Sequence, residues 1–253
     1  MASTGTATFT RTRDQLITAA LRKLRVLQDG QTATATQISD ASESLNLLIK
    51  QMQSDGLALW TYQLLAIPCV ANKYTYTIGP SGADITANRP LRLFPGAYIR
   101  DTTSATLLLD TPLTVIDRQT YLQYGSKTSQ GTPNSIYYDS QFNTASATSP
   151  STGHGTLYVY SNPMDANHTI YANFQRQLFD MTTGTDEFDF PAEAFLALQW
   201  RLAAELADEY EVPEERITRI ERKAKYYVDA LEDWSVETAP VQFTPDWQMG
   251  QRR

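Results

Sequence analysis

Apolar residues recur every three to four positions at Ile17, Ala20, Leu21, Leu24 and Leu27, the spacing that lines one face of a helix. Thr12 stands three residues ahead of Gln15, the pairing of a capping box, and Gly30 closes the run. A second stripe of Ile38, Ala41, Leu45, Leu48, Ile49 and Met52 follows, with Thr36 as its candidate cap and Gly56 as its stop. A Thr/Ala loop joins the two runs, so together they predict a helical hairpin.

From Leu57 the period falls to two and the composition turns to Tyr, Thr, Ile and Val, punctuated by turns such as Gly79-Pro80-Ser81-Gly82. About seven strands are expected, near 58–68, 73–78, 91–100, 105–116, 134–139, 156–161 and 168–178, enough for a small antiparallel sandwich or barrel. In Thr156-Leu157-Tyr158-Val159-Tyr160 the aliphatic side chains point one way and the tyrosines the other; Ile170, Ala172 and Phe174 share a face of the next segment. These two segments are expected to pair as a hairpin across Asn162-Pro163. Residues 143–155 are rich in Ser, Thr, Ala and Gly, too small and polar to pack, and read as a mobile loop.

Asp189 is placed to cap a return to helix, with Pro191 in the first turn, where its missing N–H costs nothing. The run to Tyr210 carries two apolar stripes, one of Phe195, Leu198, Leu202 and Leu206 and one of Leu196, Trp200, Ala203, Ala207 and Tyr210. A helix apolar on two stripes needs two neighbours. One is the next helix, opened by Pro213, where Ile217, Ile220, Ala224, Tyr227, Leu231 and Trp234 fall at alternating spacings of three and four. The expected fold is therefore α+β. Residues 1–56 and 189–234 form a discontinuous helical lobe, 57–188 an inserted β domain, and 235–253 an extended C-terminal tail. In that tail Val241, Phe243, Pro245, Trp247 and Met249 alternate at a strand's period, but Pro240 and Pro245 cannot donate to a ladder. The segment suits a sheet edge or a groove, whether a partner's or its own domain's, because its aromatic side chains need burial.

Composition narrows the chemistry. The 253 residues are 42% apolar, enough for a core, and carry a net charge of −7 with both signs interspersed, which argues against wrapping nucleic acid. The basic run Arg216, Arg219, Arg222, Lys223 and Lys225 is interleaved with Glu214, Glu215 and Glu221, the pattern of a solvated helix face. One cysteine, Cys69, excludes an intrachain disulfide framework, and with only His154 and His168 beside it the usual structural zinc sets cannot be assembled. No nucleophile elbow, phosphate loop or dinucleotide fingerprint occurs, so no cofactor is expected. No run approaches the roughly eighteen apolar residues of a membrane span, and the first ten lack a basic start. A soluble, reducing compartment is expected. Glu205, Asp208 and Glu209 share a helical face suited to acid–base work or a cation, but they read better as the solvated edge opposite the apolar stripes. His154 is expected exposed in its loop, and His168 at the surface where a strand begins.

Several strings carry a resemblance. Leu65-Ala66-Ile67-Pro68 leading to Tyr74-Thr75-Tyr76-Thr77-Ile78-Gly79, then Arg89-Pro90-Leu91-Arg92-Leu93, resembles the tail accessory factor family of head-to-tail adaptors (packaged-DNA stabilisation proteins) in short-tailed bacteriophages. Gly131-Thr132-Pro133 before Tyr137-Tyr138-Asp139, Leu157-Tyr158-Val159-Tyr160, and Asp186-Glu187-Phe188-Asp189-Phe190-Pro191 follow in that family's order. The resemblance implies a non-enzymatic virion protein of the neck, made in the host bacterial cytoplasm. It implies a ring, typically of twelve copies, that docks beneath the portal protein, helps retain packaged DNA and offers a platform for nozzle or fibre proteins. Double-stranded DNA would only pass through the channel, and no membrane is involved. In that family the C-terminal segment reaches along the portal, which assigns Val241, Phe243, Pro245, Trp247 and Met249 to portal binding. Under the same reading the helix carrying Phe195, Leu196, Leu198, Trp200, Leu202, Leu206 and Tyr210 meets ring neighbours. The Ser/Thr-rich stretch 143–153 has no counterpart. The alternative is a tail protein that cleaves or binds peptidoglycan or polysaccharide, motivated by the tyrosines of the β domain and the carboxylates at 205–209.

Overall fold

In the computed structural model, which describes residues 9–55, 61–104, 108–143 and 153–235, helix α1 (Arg13–Leu24) opens with the expected capping box. Gln15 N–H donates to Thr12 Oγ1 at 3.4 Å and Thr12 N–H donates to Gln15 Oε1 at 3.2 Å. The other two free donors of that turn reach a distant segment, Arg13 N–H to the Asp186 carbonyl at 3.0 Å and Asp14 N–H to that of Gly184 at 3.3 Å. No N-terminal donor is left over. The helix stops short of Gly30, because Arg25 turns left-handed (φ 60°) and closes the cap through its own N–H. Helix α2 (Ala35–Asp55) is capped by Thr34, not Thr36: Gln37 N–H donates to Thr34 Oγ1 at 3.3 Å and Thr34 N–H to Gln37 Oε1 at 3.0 Å. A Thr two positions too late cannot reach the free donors. Gly56 lies outside the described residues.

Nine strands follow among the described residues: β1 (Tyr62–Pro68), β2 (Thr75–Gly79), β3 (Ile85–Thr86), β4 (Arg92–Leu93), β5 (Ala97–Asp101), β6 (Leu109–Val115), β7 (Ser135–Asn143), β8 (His154–Tyr160) and β9 (His168–Gln175). A short helix α3 (Arg118–Gln123) sits between β6 and β7. The strand order is β1-β9-β5-β6-β7-β8-β2-β3, a nearly closed barrel that completes the α+β fold. It is mixed, since β6 with β7 and β2 with β3 run parallel. One edge of β9 takes β1 along its length; the other takes β5 and then β4. These two are one strand broken at Pro95-Gly96, where Gly96 adopts φ 98°. Tyr138 on β7 donates its hydroxyl to the Pro90 carbonyl at 2.8 Å, drawing the β4 approach across the barrel.

The expected hairpin of 156–161 with 168–178 does not form. β8 pairs with β7 and β2, whereas β9 pairs with β1, β4 and β5. Leu157 and Val159 therefore meet Ile170, Ala172 and Phe174 in one shared core from strands that β5, β6 and β7 separate, instead of side by side. Cys69 is buried at its margin, and burial, with the Asp165 charge adding, pushes its thiol up to about 12. His154 is also not where its composition put it: it starts β8, half-buried, with Nε2 2.7 Å from the Ser81 carbonyl and its ring against Gly79. His168 is half-buried at the start of β9, its Nδ1 3.0 Å from an Asp165 carboxylate oxygen. Residues 144–152 of the expected loop lie outside the described residues.

The chain returns to helix through a 3-10 turn (Ala192–Ala194) into α4 (Phe195–Glu205), then α5 (Glu214–Ser235). Asp189 does not cap this return. Arg176, at the end of β9, takes its carboxylate in a two-pronged ion pair, which outcompetes a helix terminus for the charge. α4 ends at Glu205 instead of Tyr210; the following turns tighten and Glu211 reverses the chain at φ 48°. Leu178 and Met181, sequence neighbours of β9, join the helical core with Leu21, Leu45, Leu202 and Leu206.

A polar seam fastens this core to the barrel. The Gln53 side chain donates to the Arg176 carbonyl at 2.8 Å, Gln175 Nε2 donates to the Gln53 carbonyl at 3.4 Å, and Asn46 exchanges two hydrogen bonds with the Met181 backbone, just past β9, at 3.0 and 2.9 Å. The turn that serves the α1 N-terminus is held by Asp186, whose carboxylate accepts from the Thr183 and Thr182 hydroxyls and N–H groups and is held down to about 2. A carboxyl lowered in the folded state contributes stability above its unfolded value of about 3.9 and loses it as pH falls toward 2. Wild-type stability, followed by urea unfolding, is expected to drop across that window, and Asp186→Asn to flatten the drop; equal acid sensitivity in both would refute the assignment.

Candidate functional site

The helix expected to meet ring neighbours divides by burial. Phe195, Leu198, Leu202 and Leu206 are buried in the chain's own core, so they are corrected from contact residues to interior ones. The reason is geometric: α1 and α2 cover one flank of α4 and α5 covers the other, so both stripes are largely consumed within the lobe. Leu196 alone of the seven is exposed, at 42%, while Trp200 and Tyr210 are half-buried. The ammonium groups of Lys23 on α1 and Lys223 on α5 lie 4.8 and 4.7 Å from the Trp200 ring centroid. Leu196 opens onto a broad cleft of about 1000 Å³ beside α1, which also holds Phe9, 62% exposed. On α5, Tyr226 is exposed.

The acidic edge lies in a groove of about 770 Å³ between α2, α4 and α5, where Glu205 and Asp208 share the walls with Arg201, Arg222 and Lys225. The groove is lined by charged side chains of both signs, not by the apolar wall that a general acid at neutral pH needs. Glu209 is exposed. Among the described residues no group of three His, Cys, Asp or Glu is arranged to hold a metal ion, and no helix is long and apolar enough to cross a membrane. The basic run is divided among separate tasks. Arg216 donates to the Leu24 carbonyl at 3.3 Å, Lys223 covers Trp200, and Arg222 and Lys225 line the groove.

The β domain carries a second feature on its outer surface. Tyr137 and Tyr158 are directly opposed on β7 and β8, with ring centroids 5.6 Å apart and planes within 15° of parallel. α3 brings in Tyr121, 5.0 Å from Tyr158, and the residue just past it, Tyr124, stacks at 4.1 Å on Tyr160. Lys127 folds back, donating to the Tyr124 carbonyl at 3.1 Å with its ammonium 5.5 Å from the Tyr121 ring centroid. A cleft of about 310 Å³ remains, lined by Tyr74, Tyr121, Tyr137, Tyr158, Arg118 and Asp139, among others. Tyr121 is 4% exposed, and its hydroxyl has no hydrogen-bond partner among the described residues. Burial, with the nearby Tyr74 and Tyr158 hydroxyls adding, pushes that hydroxyl up to about 12. The outward tyrosines of β8 were legible from alternation, but α3 was not. Its one local signal is Asp117, which accepts from Thr120 N–H at 2.8 Å as an N-cap.

The tail positions Val241, Phe243, Pro245, Trp247 and Met249 lie outside the described residues. No protein-family model matches the chain, and a search of curated proteins finds no match.

Proposed function

We propose that the chain is a non-enzymatic virion structural protein, the head-to-tail adaptor of a short-tailed bacteriophage. Copies form a ring that docks on the portal, helps retain packaged DNA and gives nozzle or fibre proteins a place to attach. The observation that carries this reading is the apolar surface left over on the helical lobe. Leu196 and Phe9 flank α1 on one side, and Tyr226 stands on α5. A closed ring needs two unlike patches on each copy, since its contacts are head-to-tail. Large apolar side chains exposed on α4 and α5 of one lobe offer two such patches. The net charge of −7 suits a channel through which DNA slides without sticking. The alternating tail, 235–253, supplies the grip on the portal. Cleavage of a polysaccharide has less support, because the carboxylates at 205 and 208 sit among cations in an open groove.

A portal-binding assay with two variants tests the proposal. Deleting 236–253 is expected to leave the far-ultraviolet circular dichroism unchanged and abolish binding to portal-bearing particles. Leu196→Asp is expected to leave the monomer folded and prevent rings on the portal in electron micrographs. Undiminished binding of the truncated chain would remove the latch, and complete rings from Leu196→Asp would remove the ring face.

A further inference from the structure

We infer that the cleft beside α1 is one half of a contact between two copies of this chain, and that the other half is the charged groove between α2, α4 and α5. The two features lie on opposite flanks of one helix. At about 100° per residue, Leu196 and Gln199, which face the cleft, point roughly 160° away from the mean direction of Arg201, Ala204 and Glu205, which face the groove. A copy built this way presents one feature to each side, the arrangement that a head-to-tail ring requires. The inference rests on the ring reading above and adds which surfaces meet.

Charge makes the two features complementary. Three cations, Arg11, Arg22 and Lys23, line the cleft against one carboxylate, Asp14, and Arg13 already holds that carboxylate at 2.9 Å. Six carboxylates line the groove against three cations. Among the described residues no ion pair uses Asp55, Glu205, Asp208, Glu221 or Asp229, so the excess negative charge has no direct partner inside the chain. Each feature repels its own kind, so copies meet cleft to groove. The apolar parts agree with this pairing. Leu196 and Phe9 stand exposed in the cleft, and Met52, Ala204 and Val228 are half-buried along the groove, which gives the contact apolar anchors among charges. Exposed ion pairs contribute little in water, so the anchors supply the affinity and the charges select the partner face. DNA, the other ligand of a cationic cleft, is disfavoured by Leu196 and Phe9 in its lining and by the net charge of −7.

Electron microscopy of the full-length protein on portal-bearing particles tests the contact with two charge-reversed variants. One carries Arg11→Glu and Arg22→Glu in the cleft, the other Glu221→Arg and Asp229→Arg in the groove, and far-ultraviolet circular dichroism checks the fold of each. The wild type is expected to form rings, and either variant alone roughly tenfold fewer, because like charges then face each other. An equal mixture of the two variants is expected to restore rings: the reversed cleft of one copy meets the reversed groove of the next, and the two native faces meet in turn. Should a paired change disturb the fold, Arg22→Glu and Asp229→Arg, single changes at exposed positions, repeat the comparison. Wild-type levels of rings from either variant alone, or no rescue in the mixture of folded variants, would overturn the contact and leave the ring standing. No rings from the wild type would overturn the adaptor reading and the contact together.

Discussion

Gly155→Ala is expected to destabilise the protein by about 3 kcal/mol, read as a lower urea midpoint at unchanged slope. Gly155 lies in β8, paired with Ile78, and a Cβ there would fall 1.9 Å from the Tyr138 hydroxyl oxygen and 2.5 Å from Cζ of its ring. The ring has no room to retreat. It packs edge-on against Phe174 at 5.1 Å, and its hydroxyl holds the Pro90 carbonyl at 2.8 Å. Moving it would unpair a buried acceptor and open the core between β7 and β9. Tyr138→Phe alone is expected to cost about 1 kcal/mol for the lost hydrogen bond. Combined with Gly155→Ala it is expected to cost less than the sum, because the closest clash disappears with the hydroxyl while the one with the ring carbon remains. Simple additivity would mean that the two residues do not touch.

Leu202→Ala is expected to cost 2 to 5 kcal/mol, roughly the range for deleting a leucine side chain from a packed interior. Leu202 is fully buried where α4 meets the rest of the helical core. Leu196, six positions earlier on the same helix, is expected to tolerate alanine within about 0.5 kcal/mol, as exposed positions do. Thermal unfolding of the two variants side by side checks the division of this helix into interior and free surface. Comparable losses from both would show that Leu196 is covered by the chain itself.

That division bears on how much was readable in advance. Both stripes of α4 were visible as periodic leucines and aromatics, and so was their need for two neighbours. The identity of the neighbours was not. α1, α2 and α5 reached them first, which leaves Leu196 for anything outside the chain. The portal-binding role proposed for Val241, Phe243, Pro245, Trp247 and Met249 stands in the same position, with a legible alternation and a partner that alternation cannot name. The tyrosine cleft was half legible. The outward faces of Tyr158 and Tyr160 follow from period two, but Tyr121 arrives on a helix of six residues, too short for a helical period to register.

What the sequence determined by itself was whatever near neighbours decide. The capping box of Thr12 with Gln15 and the inward set Leu157 and Val159 stand as read, because a cap spans three residues and a strand's facing repeats every two. The α+β class followed from the change of period at Leu57. Tertiary structure alone decided which edges pair and which charges meet. Alternation says which face of β8 and β9 turns inward, but it is silent on the strand at either side, and backbone hydrogen bonding across distant segments set β5, β6 and β7 between these two. Asp189 had the composition of a helix cap until Arg176, at the end of β9, came within reach of its carboxylate. Its choice between two partners of comparable local appeal depended on where the rest of the chain had brought a guanidinium.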